Sequence, residues 1–273
     1  MIRGYAMKIV SLNAWGGQVW DALAPWVSKV QPDVLCLQEV TRAPVSSPEW
    51  LRYVDPYRNL AQRADLFGDV SALLPDHQTY FAPATRGVLS NDAGDAVSSE
   101  HGLGMWVRRD LAVTRMAQDF VHGTFRPDGW GPEPVPRTMQ AARIVDPDTW
   151  AHVCVGHFHG LRDPSGKGDT PARDRQTEAA IALFQRVRAG EGAAVLAGDF
   201  NLLPDSAAFA RFKAVGLYDL IAHHGVTDTR TALYEKPQRF ADYMLVSDGL
   251  LSASFDVPAQ PVVSDHRPLI LRF

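Results

Sequence analysis

A carboxylate and an amide stand two residues apart at the end of an apolar run of strand length. Residues 193–197 are apolar, and Gly198, Asp199, Phe200 and Asn201 follow them directly. Because strand side chains alternate between two faces, Asp199 and Asn201 are predicted to share one side, with Phe200 turned into the protein. Such a pair suits the activation of water or a hydroxyl next to a phosphate-like anion. The same residue types occur in ordinary turns after strands, so the other strand ends must decide between the two interpretations.

Polar residues also stand at the ends of other apolar runs in the chain. In chain order they are Asn13, Glu39, His157, Asp242, Asp265 and His266. Each has an ordinary alternative: Glu39 can be a helix cap or a surface residue, His157 a hydrogen-bonded core histidine, and Asp265 a turn residue. Their number favours a single polar site over a series of unrelated turns.

The elements that would position these residues form a mixed pattern. Strands are predicted at residues 8–13, 33–38, 103–107, 139–145, 151–157, 193–198, 241–246 and 269–273. Helices are predicted at residues 19–30 and 172–188, and a short one opens at residues 205–206. Since helices follow only some of the strands, the pattern predicts an α/β (α+β) fold with a mixed sheet.

Some segments are predicted to lie outside this framework. Residues 111–120 and 250–257 alternate poorly and are predicted as edge strands, and residues 85–100 and 122–137 as long functional loops. No linker-like change in composition divides the chain, so we expect a single domain over residues 7–273. Residues 1–6 are expected to be a short N-terminal lead.

The overall composition is that of an ordinary globular protein. The 273 residues are 46% hydrophobic and 21% charged, with a formal net charge of −4. This balance argues against a dedicated nucleic-acid binder, which is usually basic. Cys36 and Cys154 lie inside apolar runs and are predicted to be buried hydrophobic residues. No run has the length of a membrane span and the first residues lack a signal-peptide core, which predicts a cytoplasmic protein.

The ordered set of motifs resembles the endonuclease/exonuclease/phosphatase superfamily, which has the DNase I-like fold. The motifs are Leu12-Asn13, Gln38-Glu39, Gly156-His157-Phe158, Gly198-Asp199-Phe200-Asn201, Asp242-Tyr243 and Ser264-Asp265-His266. The resemblance spans residues 7–273 and implies a four-layer α/β/β/α sandwich of two mixed β-sheets flanked by helices. It also implies a metal-dependent phosphoesterase that hydrolyses phosphodiester or phosphomonoester bonds by attack of water.

A metal site is part of what the resemblance implies. Mg²⁺ prefers carboxylate oxygens, water and substrate phosphate, and Mn²⁺ is an alternative ion. Glu39 is expected to be the principal ligand, with Asp265 and Asn13 completing or orienting the set. Asn13 is also expected to contact the substrate.

The resemblance implies catalytic roles for a second set of residues. Asp199 would position or deprotonate the attacking water, or protonate the leaving oxygen, and Asn201 would donate to the phosphate. Asp242 would hydrogen-bond His266, which would act as an acid/base or a phosphate clamp. His157 would stabilise the pentavalent transition state.

The chain departs from the usual family pattern at His157-Phe158-His159-Gly160, where a single histidine followed by leucine is typical. On a continuing strand the two histidines face the same way, so His159 is either a contact to substrate or a second metal, or a hydrogen-bonded histidine. Lys167 lies in a glycine-rich segment that lacks the spacing of a phosphate-binding loop. Lys167 and Arg173 are candidates to reach the substrate, and Arg173 with Gln176 matches an Arg-x-x-Gln that is frequent in the family.

The substrate stays open between small phosphate esters and nucleic acid, and no protein partner is predicted. A DNA or RNA nuclease would need a basic strip beside the site, for which the candidates are Arg108, Arg109, Arg126, Arg137 and Arg173. A binding module without catalysis is the third alternative, although binding alone does not need the whole polar set. Trp130, in a proline-rich loop, is the candidate for stacking on the substrate.

Overall fold

Two mixed β-sheets form the centre of the molecule. The computed structural model describes residues 7–45, 47–55, 58–130, 134–190 and 192–273, so the predicted lead at residues 1–6 lies outside the described residues. The strands are β1 (Lys8–Asn13), β2 (Val34–Arg42), β3 (Trp50–Asp55), β4 (Arg58–Arg63), β5 (His77–Ser90), β6 (Ala96–Arg108), β7 (Ala112–His122), β8 (Arg137–Val145), β9 (His152–His159), β10 (Ala193–Asp199), β11 (Tyr218–Asp219), β12 (Asp242–Val246), β13 (Ser254–Asp256) and β14 (Leu269–Arg272). The helices are α1 (Trp20–Val30), α2 (Leu66–Leu73), α3 (Pro171–Arg188), α4 (Ala208–Ala214) and α5 (Leu220–His223).

Each sheet has a parallel pair at its centre. The first sheet has the order β13-β14-β1-β2-β6-β5-β3-β4, and the second has the order β11-β12-β10-β9-β8-β7. The pairs β1–β2 and β9–β10 are parallel, and the other strand pairs described are antiparallel. Parallel strands bring their carboxyl ends to the same edge of a sheet, so polar residues at those ends gather there.

Helices cover the outer face of each sheet. Along β1, Val10 and Leu12 pack with α1 and α2, whereas Ile9 belongs to the core shared with the second sheet. This period of two is that of a strand with different partners on its two faces. Helix α3 packs on β7, β8 and β9 of the second sheet. The predicted four-layer sandwich of two mixed sheets flanked by helices is therefore confirmed.

Most of the predicted elements near the core are confirmed. The strand at residues 8–13 has the predicted bounds, and β7 and β13 are edge strands as expected. Helix α3 begins as its sequence indicates, since the Thr170 hydroxyl accepts from the Arg173 N–H and Pro171 occupies the first turn. Both cysteines are buried and free. The helices described here include none that is long and apolar enough to cross a membrane.

The prediction of a long loop at residues 85–100 is wrong. Those residues belong to the hairpin of β5 and β6, whose ladder extends from His77–Arg108 to Ser90–Ala96. Its outer half is rich in Gly, Ser and Asp, so the strand signal in the sequence is weak there. The strands β3 and β4 and the helix α2 were missed, and α4 starts at Ala208 rather than at residues 205–206.

Candidate active site

A bulge in β2 brings Glu39 to the same side of the first sheet as its neighbour Gln38. Leu37 and Val40 both pack with α1 and α2 although they are three residues apart, because the register with β6 shifts between them. Gln38 and Glu39 therefore both face the second sheet. Glu39 has a φ of 55°, a conformation that few residues with a side chain adopt. The bulge thus re-aims a carboxylate that regular alternation would have turned toward the helices.

Strand register places three polar residues of the second sheet side by side. Asp199, the last residue of β10, is paired with His159 on the parallel strand β9 and with Asp242 on the antiparallel strand β12. All three side chains are buried, at 2–6% exposure. The His159 Nε2 atom lies 3.7 Å from Asp199 Oδ2 and 3.9 Å from Glu39 Oε1. These three residues of the second sheet therefore lie next to Glu39, the carboxylate of the first sheet.

Asn13 joins the two sheets at this edge. Its Nδ2 atom donates to Glu39 Oε1 and to Asp199 Oδ2, each at 3.0 Å. Its Oδ1 atom accepts from the Trp15 backbone N–H at 3.0 Å, which determines the orientation of the amide. Only the amide hydrogens then face the two carboxylates, and they cannot bind a cation. The prediction of Asn13 as a metal ligand does not fit this orientation.

His266 lies among three carboxylates, from the end of β10, the start of β12 and the loop before β14. Its Nδ1 atom is 2.8 Å from both carboxylate oxygens of Asp242, the contact that was expected for this pair. Its Nε2 atom lies 3.7 Å from Asp199 Oδ2 and 3.6 Å from Asp265 Oδ1. The predicted residues Asp199, Asp242, Asp265 and His266 are therefore brought together.

Asn201 reaches the same edge by a turn and not by strand alternation. The strand ends at Asp199, and Asn201 has a φ of 53°. Its backbone N–H donates to Asp199 Oδ1 at 3.0 Å, and its Nδ2 atom donates to the Gly160 carbonyl at 3.2 Å. Phe200 is fully buried and stacks on Phe158, with 4.3 Å between ring centroids. A Cβ on Gly160 would lie 2.1 Å from the Phe200 carbonyl oxygen, so the turn needs glycine there.

His157 does not belong to the group, in contrast to its predicted catalytic role. It faces the same side as His159 but lies two residues, about 6–7 Å, farther back along the strand. Its Nδ1 atom is 3.1 Å from Gln38 Nε2, and its Nε2 atom is 3.0 Å from Gln140 Oε1. Burial lowers the pKa of His157 to about 3. With both ring nitrogens bonded inside the protein, His157 is a neutral core histidine.

Arg173 is also separate from the site, although it was predicted to contact the substrate. It is 2% exposed, and its guanidinium donates to the backbone carbonyls of Leu161, Gly166 and Gly168. It therefore shapes the segment that carries Lys167. The Lys167 ammonium donates to the Phe240 carbonyl, and burial lowers its pKa while the nearby Asp199 opposes this effect. Of the two predicted cations, only Lys167 is near the carboxylates.

Two residues of the site were missed from the sequence. Arg230 is 5% exposed, donates to Asp265 Oδ2 at 2.8 Å and contacts His266 Nε2. His101 lies on β6 beside the bulge, close enough to Glu39 to lower its pKa. Neither follows an apolar run that stops at a polar residue, which was the signal used for the others. The only local sign at Arg230 is its place between two threonines in a segment without apolar periodicity.

Trp130 lies beside the site in a supporting position. Its ring covers Gly87 of β5, where an added Cβ would lie 2.3 Å from the indole. The ring also meets His101 edge-on, with 6.2 Å between centroids. Its role in stacking on the substrate stays a prediction.

The model of the endonuclease/exonuclease/phosphatase family matches residues 10–266 of this sequence. The chain belongs to this family. Its members are phosphoester hydrolases and generally use a divalent metal. Among curated proteins, none matches this sequence significantly.

Solved structures of family members share the DNase I-like fold. A mannosyl-6-phosphatase from Bacteroides thetaiotaomicron is 16% identical, with 97% of this chain and 98% of that chain covered and a TM-score of 0.63. The human Nocturnin catalytic domain with bound sulfate is 16% identical, with 99% and 94% covered and a TM-score of 0.65. TDP2 from D. rerio, in complex with a single-strand DNA product, is 13% identical, with 97% and 98% covered and a TM-score of 0.59.

The electrostatics of the site keep two carboxylates ionised. Burial raises the pKa of Glu39, but the His159 and His101 imidazoles and the Asn13 amide outweigh it and bring the pKa to about 2. Burial also raises the pKa of Asp199, and His266, Arg230 and Lys167 outweigh it, so this pKa is lowered. Both residues are therefore carboxylates at neutral pH.

The pKa values of Asp265 and His266, the two residues after Ser264, are raised and not lowered. Burial raises the pKa of Asp265. Burial lowers the pKa of His266, but Asp242 and Asp265 outweigh it, so the net shift is upward and favours the imidazolium. The carboxylates beside His266 thus favour its charged form against the effect of burial.

The donor set fits a hard divalent cation. The Glu39 side chain is 26% accessible and the Asp265 side chain 11%, so both carboxylates border the open side of the site. Glu39 is also close enough to Asp265 to raise its pKa. Ligand atoms of Asp199, Asp242 and His266 lie within 4.8 Å of one another and form a second, more deeply buried candidate set. Oxygen donors of this kind are those that Mg²⁺ and Mn²⁺ prefer.

Proposed function

We propose that this protein hydrolyses phosphoester bonds by attack of a water molecule, with a divalent cation as cofactor. The observation that carries the proposal is the double hydrogen bond of Asn13, at 3.0 Å to Glu39 and 3.0 Å to Asp199. It holds one ionised carboxylate from each sheet at the same edge. A folded core gains nothing from two such charges side by side, whereas a divalent cation and a water that must lose a proton need them.

Glu39 and Asp265 would hold the Mg²⁺ or Mn²⁺ ion. When bound, the ion neutralises charge on the phosphoryl oxygens. We assign it to this pair because both carboxylates border the open side of the site. Asp242 is engaged by His266 through both of its oxygens, which makes the buried set the less suitable one. Asn13 positions the two carboxylates that it bridges.

Asp199 would orient the attacking water and accept its proton. An ionised carboxylate can accept a proton but cannot donate one, which favours the base among the two predicted roles. Asn201 uses one amide hydrogen on Gly160, and the second would donate to a phosphoryl oxygen. The Asp242 carboxylate orients His266, whose Nε2 faces Asp199 and Asp265 and would serve the phosphate or the leaving oxygen.

His159 would take the role that the sequence suggested for His157. It ends its strand at the edge of the sheet, between Glu39 and Asp199, whereas His157 has no ring nitrogen to offer. Lys167 would contribute a positive charge to the substrate side of the site. Burial lowers the pKa of His159 well below its usual range, so it would act as a neutral hydrogen-bond donor.

A small phosphate ester suits the surroundings better than a long nucleic acid. Arg108 pairs with Asp33 and Asp110 beside the start of β2, away from Glu39. Arg109 donates to the Pro75 carbonyl, and Arg173 is buried in its own segment. The basic strip that a nuclease would need is therefore reduced to Arg126 and Arg137, and affinity for a phosphate backbone depends on such charges.

A substrate panel with and without metal tests the proposal. The panel contains bis-p-nitrophenyl phosphate, sugar and inositol phosphates, sphingomyelin, DNA and RNA, each with Mg²⁺, Mn²⁺ or EDTA. We expect hydrolysis of at least one small ester with metal and none with EDTA. Preferred hydrolysis of DNA or RNA would overturn the assignment to small esters, and no hydrolysis of any substrate would overturn the function itself.

Glu39→Gln tests the metal assignment. It should weaken metal binding by more than the ~10–100-fold that outer-shell partners contribute, as measured by calorimetry and by activity against Mg²⁺ concentration. The matched control is Glu178→Gln, which removes an exposed carboxylate that pairs with Arg211 on the outer side of α3. Full metal-dependent activity of Glu39→Gln would contradict the assignment.

A further inference from the structure

Arg230 is a buried cation among the acidic residues of the site. It is 5% exposed, and its guanidinium lies over the Tyr234 ring with 4.2 Å to the ring centroid. Its Nη1 atom donates to Asp265 Oδ2 and contacts His266 Nε2. An arginine in this position is fixed by its neighbours before any substrate arrives.

One edge of this guanidinium makes no hydrogen bond to the described residues. The Nε atom is buried without a hydrogen-bond partner, and the Nη2 atom donates to no acceptor among the described residues. The Nε–Nη2 edge can hold two acceptors side by side. Elsewhere in the molecule Arg42 directs the same two atoms at a single oxygen, Glu100 Oε2, at 2.9 and 2.6 Å. Buried donors nearly always have an acceptor. The Nε atom of Arg173 also lacks one, but Arg173 lies apart from the site, whereas Arg230 contacts Asp265 and His266 within it, so its free edge points to a ligand with neighbouring oxygens.

The charges around Arg230 indicate which chemical group its free edge would bind. Asp199, Asp242 and Asp265 are all close enough to raise its pKa. The His266 Nε2 atom, which the Arg230 guanidinium contacts, lies 3.7 Å from Asp199 Oδ2, so the guanidinium lies close to the water that Asp199 would activate. Lys167 lies against the same tyrosine ring, 5.9 Å from its centroid. Two cations on one aromatic ring beside a reacting centre suit the oxygens of a phosphoryl group.

We propose that Arg230 is a further catalytic residue, which holds two phosphoryl oxygens through its Nε–Nη2 edge and stabilises the charge that develops on them. Tyr234 acts through Arg230 and is a positioning residue. The inference rests on the proposed function, since it concerns the same site. The family motifs in this sequence do not include Arg230, to which we assign the stabilisation of this transition-state charge.

The experiment compares Arg230→Met and Arg230→Lys with the wild type on the best substrate of the panel. Arg230→Met should lower kcat about 100-fold, the loss expected for a fixed donor to a developing charge, with a smaller change in KM. Added guanidinium ion should restore part of the lost rate. Arg230→Lys keeps the positive charge but lacks the paired Nε and Nη2 donors, so its kcat should lie between those of Arg230→Met and the wild type. Tyr234→Leu should lower kcat less than Arg230→Met does.

A second measurement does not depend on turnover. Binding of inorganic phosphate to the Mg²⁺-loaded protein is followed by calorimetry, and Arg230→Met should bind it more weakly than the wild type. The control is Arg63→Lys, a buried arginine that pairs with Glu49 and Asp69 and lies over Trp20 and Trp50. It should leave kcat and phosphate affinity unchanged.

A folded Arg230→Met protein with wild-type kcat and phosphate affinity would overturn the inference. If Arg230→Met does not fold, as judged by circular dichroism, Arg230→Lys decides in the same way, and a wild-type kcat and phosphate affinity again overturn it. Should the wild type hydrolyse nothing in the panel, the proposed function fails. The loss of phosphate binding in Arg230→Met then still tests the role of Arg230 by itself.

Discussion

Replacing His157 and His159 separately by alanine distinguishes a core histidine from a histidine of the site. His157 is fully buried between Gln38 and Gln140. After its removal, Gln38 Nε2 keeps two longer contacts of 3.4 Å, to Ser11 and Cys36, while Gln140 Oε1 keeps none among the described residues. Loss of the hydrogen bond with Gln38 is then worth about 1 kcal/mol, and loss of the bond with Gln140, whose oxygen stays unpaired, about 3 kcal/mol.

The expected loss of stability in His157→Ala is therefore about 4 kcal/mol, or a Tm about 8–16 °C lower. Its kcat, measured well below that Tm, should stay close to the wild-type value. His159→Ala should show the reverse, because its ring lies between Glu39 and Asp199: a small change in Tm and a kcat/KM lower by about 100-fold. Scanning calorimetry and steady-state kinetics on the same preparations measure both quantities. A kcat of His157→Ala reduced as far as that of His159→Ala, at the same folded fraction, would refute the assignment.

Two further predictions concern charge. Asn13→Asp replaces two donated hydrogen bonds with a third carboxylate between Glu39 and Asp199, so at pH 7 in EDTA the variant should lose about 3–6 kcal/mol, and Mg²⁺ should restore part of it. Denaturant unfolding measures both values, and a stability equal to the wild type in EDTA would contradict the role of Asn13. Burial raises the pKa of Asp219 to about 6, so the stability of its protonated form is present below pH 4 and is lost as the pH rises through 6. Asp219→Asn, which can still cap α5, should thus stabilise the protein by about 1–3 kcal/mol at pH 7 and change little at pH 4, and an equal effect at both pH values would exclude this cause.

The polar strand ends were predictable because each is a local pattern. An apolar run that ends or begins at a carboxylate, an amide or a histidine is visible within a few residues, as at the end of β10 (Asp199) and the start of β12 (Asp242). The run also indicates a buried strand, since strands covered on both faces are almost continuously apolar. The same logic failed for the outer half of the β5–β6 hairpin, where only a small cluster around Leu89 is buried and most of the residues are polar.

How close a histidine on a strand lies to the edge of the sheet was not predictable. Alternation states correctly that His157 and His159 face the same side, but it does not tell which of them reaches the edge. The glutamines that enclose His157 come from β8, through the register of the β8–β9 pair, and from β2, through the packing of the two sheets. The same holds for Arg173, whose acceptors are carbonyls of a loop without a sequence signal.

By itself, the sequence determined the position of most core strands along the chain, the faces of most of their side chains and the polar residues at their ends, because these depend on neighbours within a few positions. The tertiary structure decided which of those residues meet. A bulge turned Glu39 toward Asn13, strand register aligned His159, Asp199 and Asp242, and contacts between residues 35 or 36 positions apart placed Arg230 at the centre. Those contacts join segments that no local pattern connects, so they exist only once the two sheets have packed.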